Sequence, residues 1–409
     1  MKKKLSVGNL LSILFFTLLI SCQQSDNTAK TETNKDTTQT KKEEVKPTID
    51  LKATQLAYIL AGVEIKDKTG VEKLLEREDV KRHYEQFNKQ WENLEKARLS
   101  KMRTWKDTEL KDLNKEGNTL FYPFSGPDFV NAYEFFPDCD NYVMFGLEIA
   151  GNLPDLENLP NGYFDGVRAA LAEIFQRNYF ITSYMGGSLY GKGVLPVIEL
   201  FMARTGNQII KTQRVYLDKD GKPVPFALNE RAYLDAKGTV KIATEKEKIN
   251  TADEQKVISG LMIEFLNVKK TRTQKVYYFG TNVEDPAMKD KQNLLAFIKS
   301  FPNKVTFIKS ASYLLHGGNF SIIRDLVLES SKGILQDDTG VRYDVLLKAG
   351  FEVQLYGKYA RPIADFANYT IQPALADAFM TRKDIKPLNF TYGYHWNTEN
   401  TSVLVCRKK

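Results

Sequence analysis

Apolar side chains recur first at helical spacing and later in short unbroken runs, and the change of rhythm divides the chain. Asp50 precedes LKATQLAYILAGVEI, and between about Gly70 and Leu110 the residues Val80, Tyr84, Phe87, Trp91 and Leu94 repeat at steps of four and three, with Met102 and Trp105 beyond. That spacing lays one apolar stripe along a helix with an aspartate cap before the first element. It predicts an N-terminal helical region over 51–112 whose apolar side covers another layer.

From residue 119 the texture changes. TLFYPF and NYVMFGL read as buried strands with PDFVNAYEFF as a short helix between them, and GYFDGVRAALAEIFQRNYF reads as a second helix. QKVYYFGTNV, LLAFIKSF, KVTFIKSASYL and SIIRDLVLESS then continue strand, helix, strand, helix, and GILQDDTG, FEVQLYG and NTSVLVCRK supply late strands with an antiparallel edge. Alternation of this kind predicts an α/β domain over 113–409: a Rossmann-like, mostly parallel sheet with helices on both faces. Between about 196 and 270 the pattern breaks into antiparallel hairpins, with turn signals at Asp220-Gly221 and Lys237-Gly238, and predicts a β-rich insertion that either overhangs a pocket or widens the sheet.

The first strand-to-helix corner, FYPFSGPDF, concentrates the candidate chemistry. Gly126 permits close backbone approach, Pro127 suits a first helical position, and Asp128 suits the positive end of the helix dipole. The same N–H groups would alternatively hold an anion. Glu148 ends the next strand, where nucleoside-binding α/β folds place an acid for ribose hydroxyls. The stretch from FYPFSGPDF to Glu148 resembles the first βαβ unit of class I methyltransferases. That resemblance implies that the loop and the second-strand acid hold S-adenosylmethionine, with Gly126, Asp128 and Glu148 as ligand-binding candidates.

Nucleophilic catalysis would instead draw on Ser125, His316 and Asp338, because a parallel sheet brings the residues after successive strands to one edge. Ser125 stands outside any G-x-S-x-G elbow. GGSLYGKG, at 186–193, lacks the hydroxyl after Lys192 that a phosphate-binding loop requires and reads as a flexible glycine-rich loop. DKDG at 218–221 reads as a hairpin turn rather than a calcium loop, since Tyr216 and Ala227 occupy the flanking ligand positions. Tyr392, Tyr394 and Trp396, alternating in sequence, read as a buried strand face or a carbohydrate-stacking platform.

The N-terminus sets the location. MKKKLSVGNLLSILFFTLLISC opens with three lysines and an apolar run too short for a comfortable membrane span, and its last residues, Leu19-Ile20-Ser21-Cys22, resemble the lipobox of bacterial lipoproteins. The resemblance implies a signal peptide over 1–21 and lipidation (palmitate included) at Cys22, anchoring the chain to an envelope membrane, the outer membrane by preference, with the body outside the cytoplasm. Residues 22–50 hold almost no large apolar side chain and predict a disordered tether spanning roughly 30 Å.

Charge and cysteine usage narrow the partners. The formal charge is +7, falling to +4 without Lys2, Lys3 and Lys4, and no basic stripe interleaved with aromatics marks a nucleic-acid surface. Three histidines and no CxxC leave no metal-site signature, and Cys139 and Cys406 either pair or remain buried thiols. Cytoplasmic cofactors are scarce outside the cell, so none is expected. The sequence therefore predicts a ligand-binding or envelope-interaction lipoprotein of the membrane surface, with a small molecule or glycan as ligand. A methyltransferase-like transferase or a hydrolase is the alternative.

Overall fold

The structure, a computed structural model, describes residues 47–409 apart from residues 157, 161, 181–192, 245, 364–370 and 396. The signal-like segment, Cys22, most of the expected tether, the glycine-rich loop up to Lys192, and Trp396 lie outside the described residues.

Asp50 caps the helix Leu51–Ala61, accepting from Ala53 N at 3.0 Å, and Gly62 closes it in the left-handed region. A helical run follows through Glu78–Leu94, one π-helical turn at Glu95–Leu99, and Ser100–Glu109. Val80, Phe87, Leu94 and Met102 are buried, and Tyr84, Trp91 and Trp105 pack partly buried on the same core. The stripe read from sequence thus packs on the helices 163–177 and 195–204 through Phe175 and Phe201, and at its far end Trp105 meets Phe135, Tyr356 and Phe390.

Twelve described strands follow: β1 Thr119–Tyr122, β2 Asn141–Gly146, β3 Gln208–Leu217, β4 Pro223–Phe226, β5 Glu230–Leu234, β6 Val240–Thr244, β7 Ser259–Leu266, β8 Thr273–Gly280, β9 Lys304–Ile308, β10 Ser331–Gln336, β11 Phe351–Gly357 and β12 Ser402–Lys408. Ten form one sheet in the order β11-β12-β10-β9-β1-β2-β8-β7-β3-β4, while β5 and β6 pair separately. The class is mixed α/β, and the expectation of a mostly parallel sheet needs correction. Parallel pairing is confined to β8, β2, β1, β9 and β10. Antiparallel pairing flanks them on both sides. The connections β3–β4 and β7–β8 are too short for the helical crossover that a parallel pair requires, and β7 returns beside β3 in the reversed direction. At the other end, β12 enters reversed between β10 and β11.

Alternate residues of the central strands feed two cores. Leu120, Tyr122, Tyr142 and Met144 face the layer that includes helices 51–61, 129–135, 163–177 and 195–204. Phe121, Val143 and Phe145 face helices 292–300, 321–330 and 343–348. Cys139 belongs to the first core and Cys406 to the second, both as free buried thiols, so they do not form the disulfide allowed by sequence.

Candidate functional site

The carboxyl ends of β1, β2, β8 and β9 share one edge of the sheet, and a cavity of about 370 Å³ opens there. Its lining includes Pro123–Gly126, Glu148, Thr281, Asn282, Lys309, Ser310 and Tyr394. Edges of this kind are where open α/β sheets bind ligands, because the loops leaving the strands diverge there.

The corner after β1 is held by its neighbour. Ser125 N and Gly126 N both donate to Phe145 O, at 2.7 and 3.2 Å, and Gly126 takes φ +49°, a conformation that favours glycine. These amides are therefore spent on β2 and do not form the anion site that the sequence allows. Asp128 stands two positions earlier relative to the helix than expected. It is the N-cap of the helix Phe129–Phe135, its Oδ1 accepting from Asn131 N at 3.2 Å, and Pro127 precedes the cap.

Glu148 reaches back over this corner. A Cβ placed on Gly126 would lie 3.5 Å from Glu148 Oε2, and one placed on Gly146 would lie 2.5 Å from the same oxygen, 2.6 Å from Tyr278 Oη and 2.9 Å from Gly126 Cα. Only the missing side chain at Gly146 lets the two strand ends and the carboxylate converge. Tyr278 donates to Glu148 O at 2.8 Å and lies 3.4 Å from Oε2. Burial, reinforced by the Glu148 charge, holds the Tyr278 hydroxyl well above its ordinary pKa, so it remains a donor at neutral pH.

Beneath the cavity lies a buried ion pair between Lys309 and Asp128, whose side chains are each 2% exposed. Asp128 also accepts from Tyr122 Oη at 3.0 Å and Asn131 Nδ2 at 2.8 Å, and Lys309 also donates to Asn178 O. Burial lowers the Lys309 pKa, and the Asp128 charge opposes that shift. Arg98, buried and pushed down to about 10 by desolvation, feels the same carboxylate.

The proposed nucleophilic set is not assembled. Ser125 Oγ bonds to Phe145 O and Gly126 O, at 2.9 and 2.8 Å, so its one proton is committed to backbone carbonyls. His316 sits in the short turn Leu314–His316, outside the cavity lining, and burial lowers its pKa to about 4 although the nearby Asp338 charge opposes this. Asp338 is buried away from Ser125, accepting from Tyr313 Oη at 2.7 Å and bonded to His395 Nε2 at 2.9 Å. Its neighbour Asp337 accepts from Ser310 N at 3.0 Å, and burial with the adjacent Asp338 charge raises its pKa. The two carboxylates lie in a buried turn, where Gly340 N donates to Asp337 O at 3.3 Å, and form an internal network. It braces a loop in which Ser310, Ser312 and Tyr313 all take positive φ.

Of the expected ligand residues, Gly126, Asp128 and Glu148 do meet at one cavity, along with Ser125 in its structural role. Lys309, Gly146 and Tyr278 were missed. A lysine directly after the apolar run KVTFI was the available signal for Lys309, whereas nothing local marks Gly146 or Tyr278. Tyr392 is fully buried and Tyr394 lines the cavity, so the alternating tyrosines do not share one role. The Asp218 side chain accepts from Asp220 N and Lys222 N at 3.0 and 2.8 Å, as a hairpin turn requires. Among the described residues no His, Cys, Asp or Glu cluster is arranged to hold a metal ion, and no helix is long and apolar enough to cross a membrane. No protein-family model, curated protein or solved structure matches the chain.

Proposed function

We propose that the protein is a lipid-anchored envelope protein that binds a ring-bearing, polyhydroxylated small molecule, a sugar or nucleoside, in the cavity above Gly126. The central strands support a Rossmann-like reading of the site. Taken in chain order, β1, β2, β8, β9 and β10 stand in the spatial order third, second, first, fourth, fifth, and the reversal falls between β1 and β9, next to the cavity.

The observation that carries the proposal is the Glu148 carboxylate at the end of β2, beside the Gly126 turn and on the wall of a cavity that Phe124, Tyr179, Phe180 and Tyr394 also line. A carboxylate accepts hydrogen bonds from two adjacent hydroxyls, and aromatic faces pack against the ring that bears them. Anchoring at Cys22 rests on the sequence; Cys22→Ala is expected to move the chain from the membrane to the soluble fraction.

Isothermal titration of the full-length chain with glucose, galactose and adenosine tests the reading. At least one should bind, and Glu148→Gln should weaken it by about tenfold or more, as expected for a hydrogen bond to a charged acceptor. Equal affinity in the variant, or no binding of any of the three at millimolar concentration, overturns the reading. Group transfer of the methyltransferase kind is the second reading, favoured by the position of Glu148 relative to Gly126. It requires S-adenosylmethionine to compete for the same cavity. Hydrolysis through Ser125 is not proposed, because its hydroxyl is committed to backbone.

A further inference from the structure

A second depression, of about 870 Å³, adjoins the cavity on the same sheet edge, and the two share Thr281 and Asn282 after β8. Its far wall comes from the β-rich insertion, through Arg214 of β3 and the stretch from Thr251 to Ser259. The insertion therefore does both things the sequence allowed: β3, β4 and β7 widen the sheet, and the segment before β7 encloses a groove beside the cavity.

At the shared wall stands Lys291. Its Nζ donates to Thr281 Oγ1 at 2.7 Å and to Asn282 O at 2.8 Å, both neutral acceptors, and an ammonium carries a third N–H. Among the described residues no carboxylate pairs with it. The other charges around the two depressions have partners: Lys309 pairs with Asp128, Glu254 lies 3.5 Å from Arg231, and Glu284 accepts from Asn282 Nδ2 at 3.1 Å. Arg214 is held by Leu228 O, Gly151 O and Asn152 Oδ1. A merely structural tie between Thr281 and Asn282 would be served by a neutral amide. A half-buried cation held by neutral groups gains most from an anion, since burial has stripped water from it and a charge-assisted bond restores the loss.

We infer that the ligand of the cavity carries an anionic group, a carboxylate or phosphate, that crosses Thr281–Asn282 into the groove and sits on Lys291. This rests on the reading of the cavity given above and makes its ligand an acidic sugar or a nucleotide-like molecule. The insertion then serves to exclude water around the acid group.

The test uses the full-length chain and matched probes: glucose against glucuronate and glucose monophosphate, adenosine against adenosine monophosphate. An anionic probe should bind at least about tenfold tighter than its neutral counterpart, and added salt should reduce that advantage. Lys291→Gln keeps an amide donor and should abolish the advantage while leaving the neutral probe unchanged; Lys291→Arg should keep it. The carboxylate and phosphate probes separate the two sources of the charge. A neutral probe that binds as well as its anionic partner, or an advantage that persists in Lys291→Gln, overturns this inference alone. If no probe binds, the reading of the cavity falls with it. An advantage that depends on Lys291 but not on Glu148 upholds the anion site and overturns the diol reading.

Discussion

Separating Asp128 from Lys309 is expected to cost more from the aspartate side than from the lysine side. Both side chains are 2% exposed, and removing one partner of a buried pair leaves an uncompensated charge at a cost of about 3–5 kcal/mol. The surroundings are unequal. With Lys309→Met, Asp128 retains the Tyr122 hydroxyl, Asn131 N and Asn131 Nδ2, and feels Arg98, so the cost falls near the lower figure. With Asp128→Asn, Lys309 retains the carbonyl of Asn178 and the weaker attraction of Asp337 but faces the larger like-charge repulsion of Arg98, so the cost falls near the upper figure. Asparagine still caps the helix, which keeps cap loss out of the comparison. The double variant removes both charges and should cost well under the sum. In urea, with a slope of about 3 kcal/mol per molar, the single variants should lower the unfolding midpoint by roughly 1 to 1.7 M. A pair of single variants each costing under about 1 kcal/mol, and adding without coupling, would show that water reaches the pair and would refute the argument.

Three further outcomes follow from the geometry. His83 is fully buried; its Nε2 lies 2.9 Å from Leu60 O and its Nδ1 3.0 Å from Arg168, an arrangement satisfied by the neutral ring donating to the carbonyl and accepting from the guanidinium. Burial lowers its pKa to about 4, so the unfolded chain binds the proton first, and roughly 3 kcal/mol of stability present above pH 6.5 should be lost as pH falls toward 4, a slope that His83→Gln should reduce in acid titrations followed by circular dichroism. Gly146→Ala should cost about 1–3 kcal/mol and displace Glu148, read as a lowered melting midpoint together with lost ligand binding; wild-type values for both would contradict the close approach. Ser125→Ala should cost about 1 kcal/mol and leave ligand affinity unchanged, since its hydroxyl serves the backbone; loss of a chemical activity with stability intact would restore it as a nucleophile.

What the sequence revealed and what it hid have physical causes. The strand β1, the helix Phe129–Phe135, the strand β2 and the hairpins of the insertion were readable because their periodicity and turn residues act locally. The mixed pairing was not, because the place where β12 enters depends on contacts between residues distant in the chain: Cys406 lies opposite both Ile334 and Val353. In the site, Gly126, Asp128 and Glu148 were legible from their order along one βαβ unit. Tyr278 in β8 and Lys309 directly after β9 come from far along the chain and act through burial, which composition does not report. His316 was misplaced, and Ser125, although it lines the cavity, was wrongly read as an available nucleophile, for a related reason. Both follow parallel strands, but whether a loop residue turns into the crevice depends on its backbone geometry, and at Ser125 that geometry is fixed by bonds to Phe145.

The two buried thiols give the molecule its own pair of reporters. Cys139 lies on one side of the sheet and Cys406 on the other, and burial raises both pKa values, so neither reacts with an alkylating reagent until its side opens. Mass spectrometry after brief alkylation in rising denaturant would follow the two layers separately within one sample. Equal labelling curves would mean that the sheet transmits loss of packing from one face to the other as a single event. If Cys406 reacts first, the helices on its face peel away while the layer joined to the N-terminal helices holds.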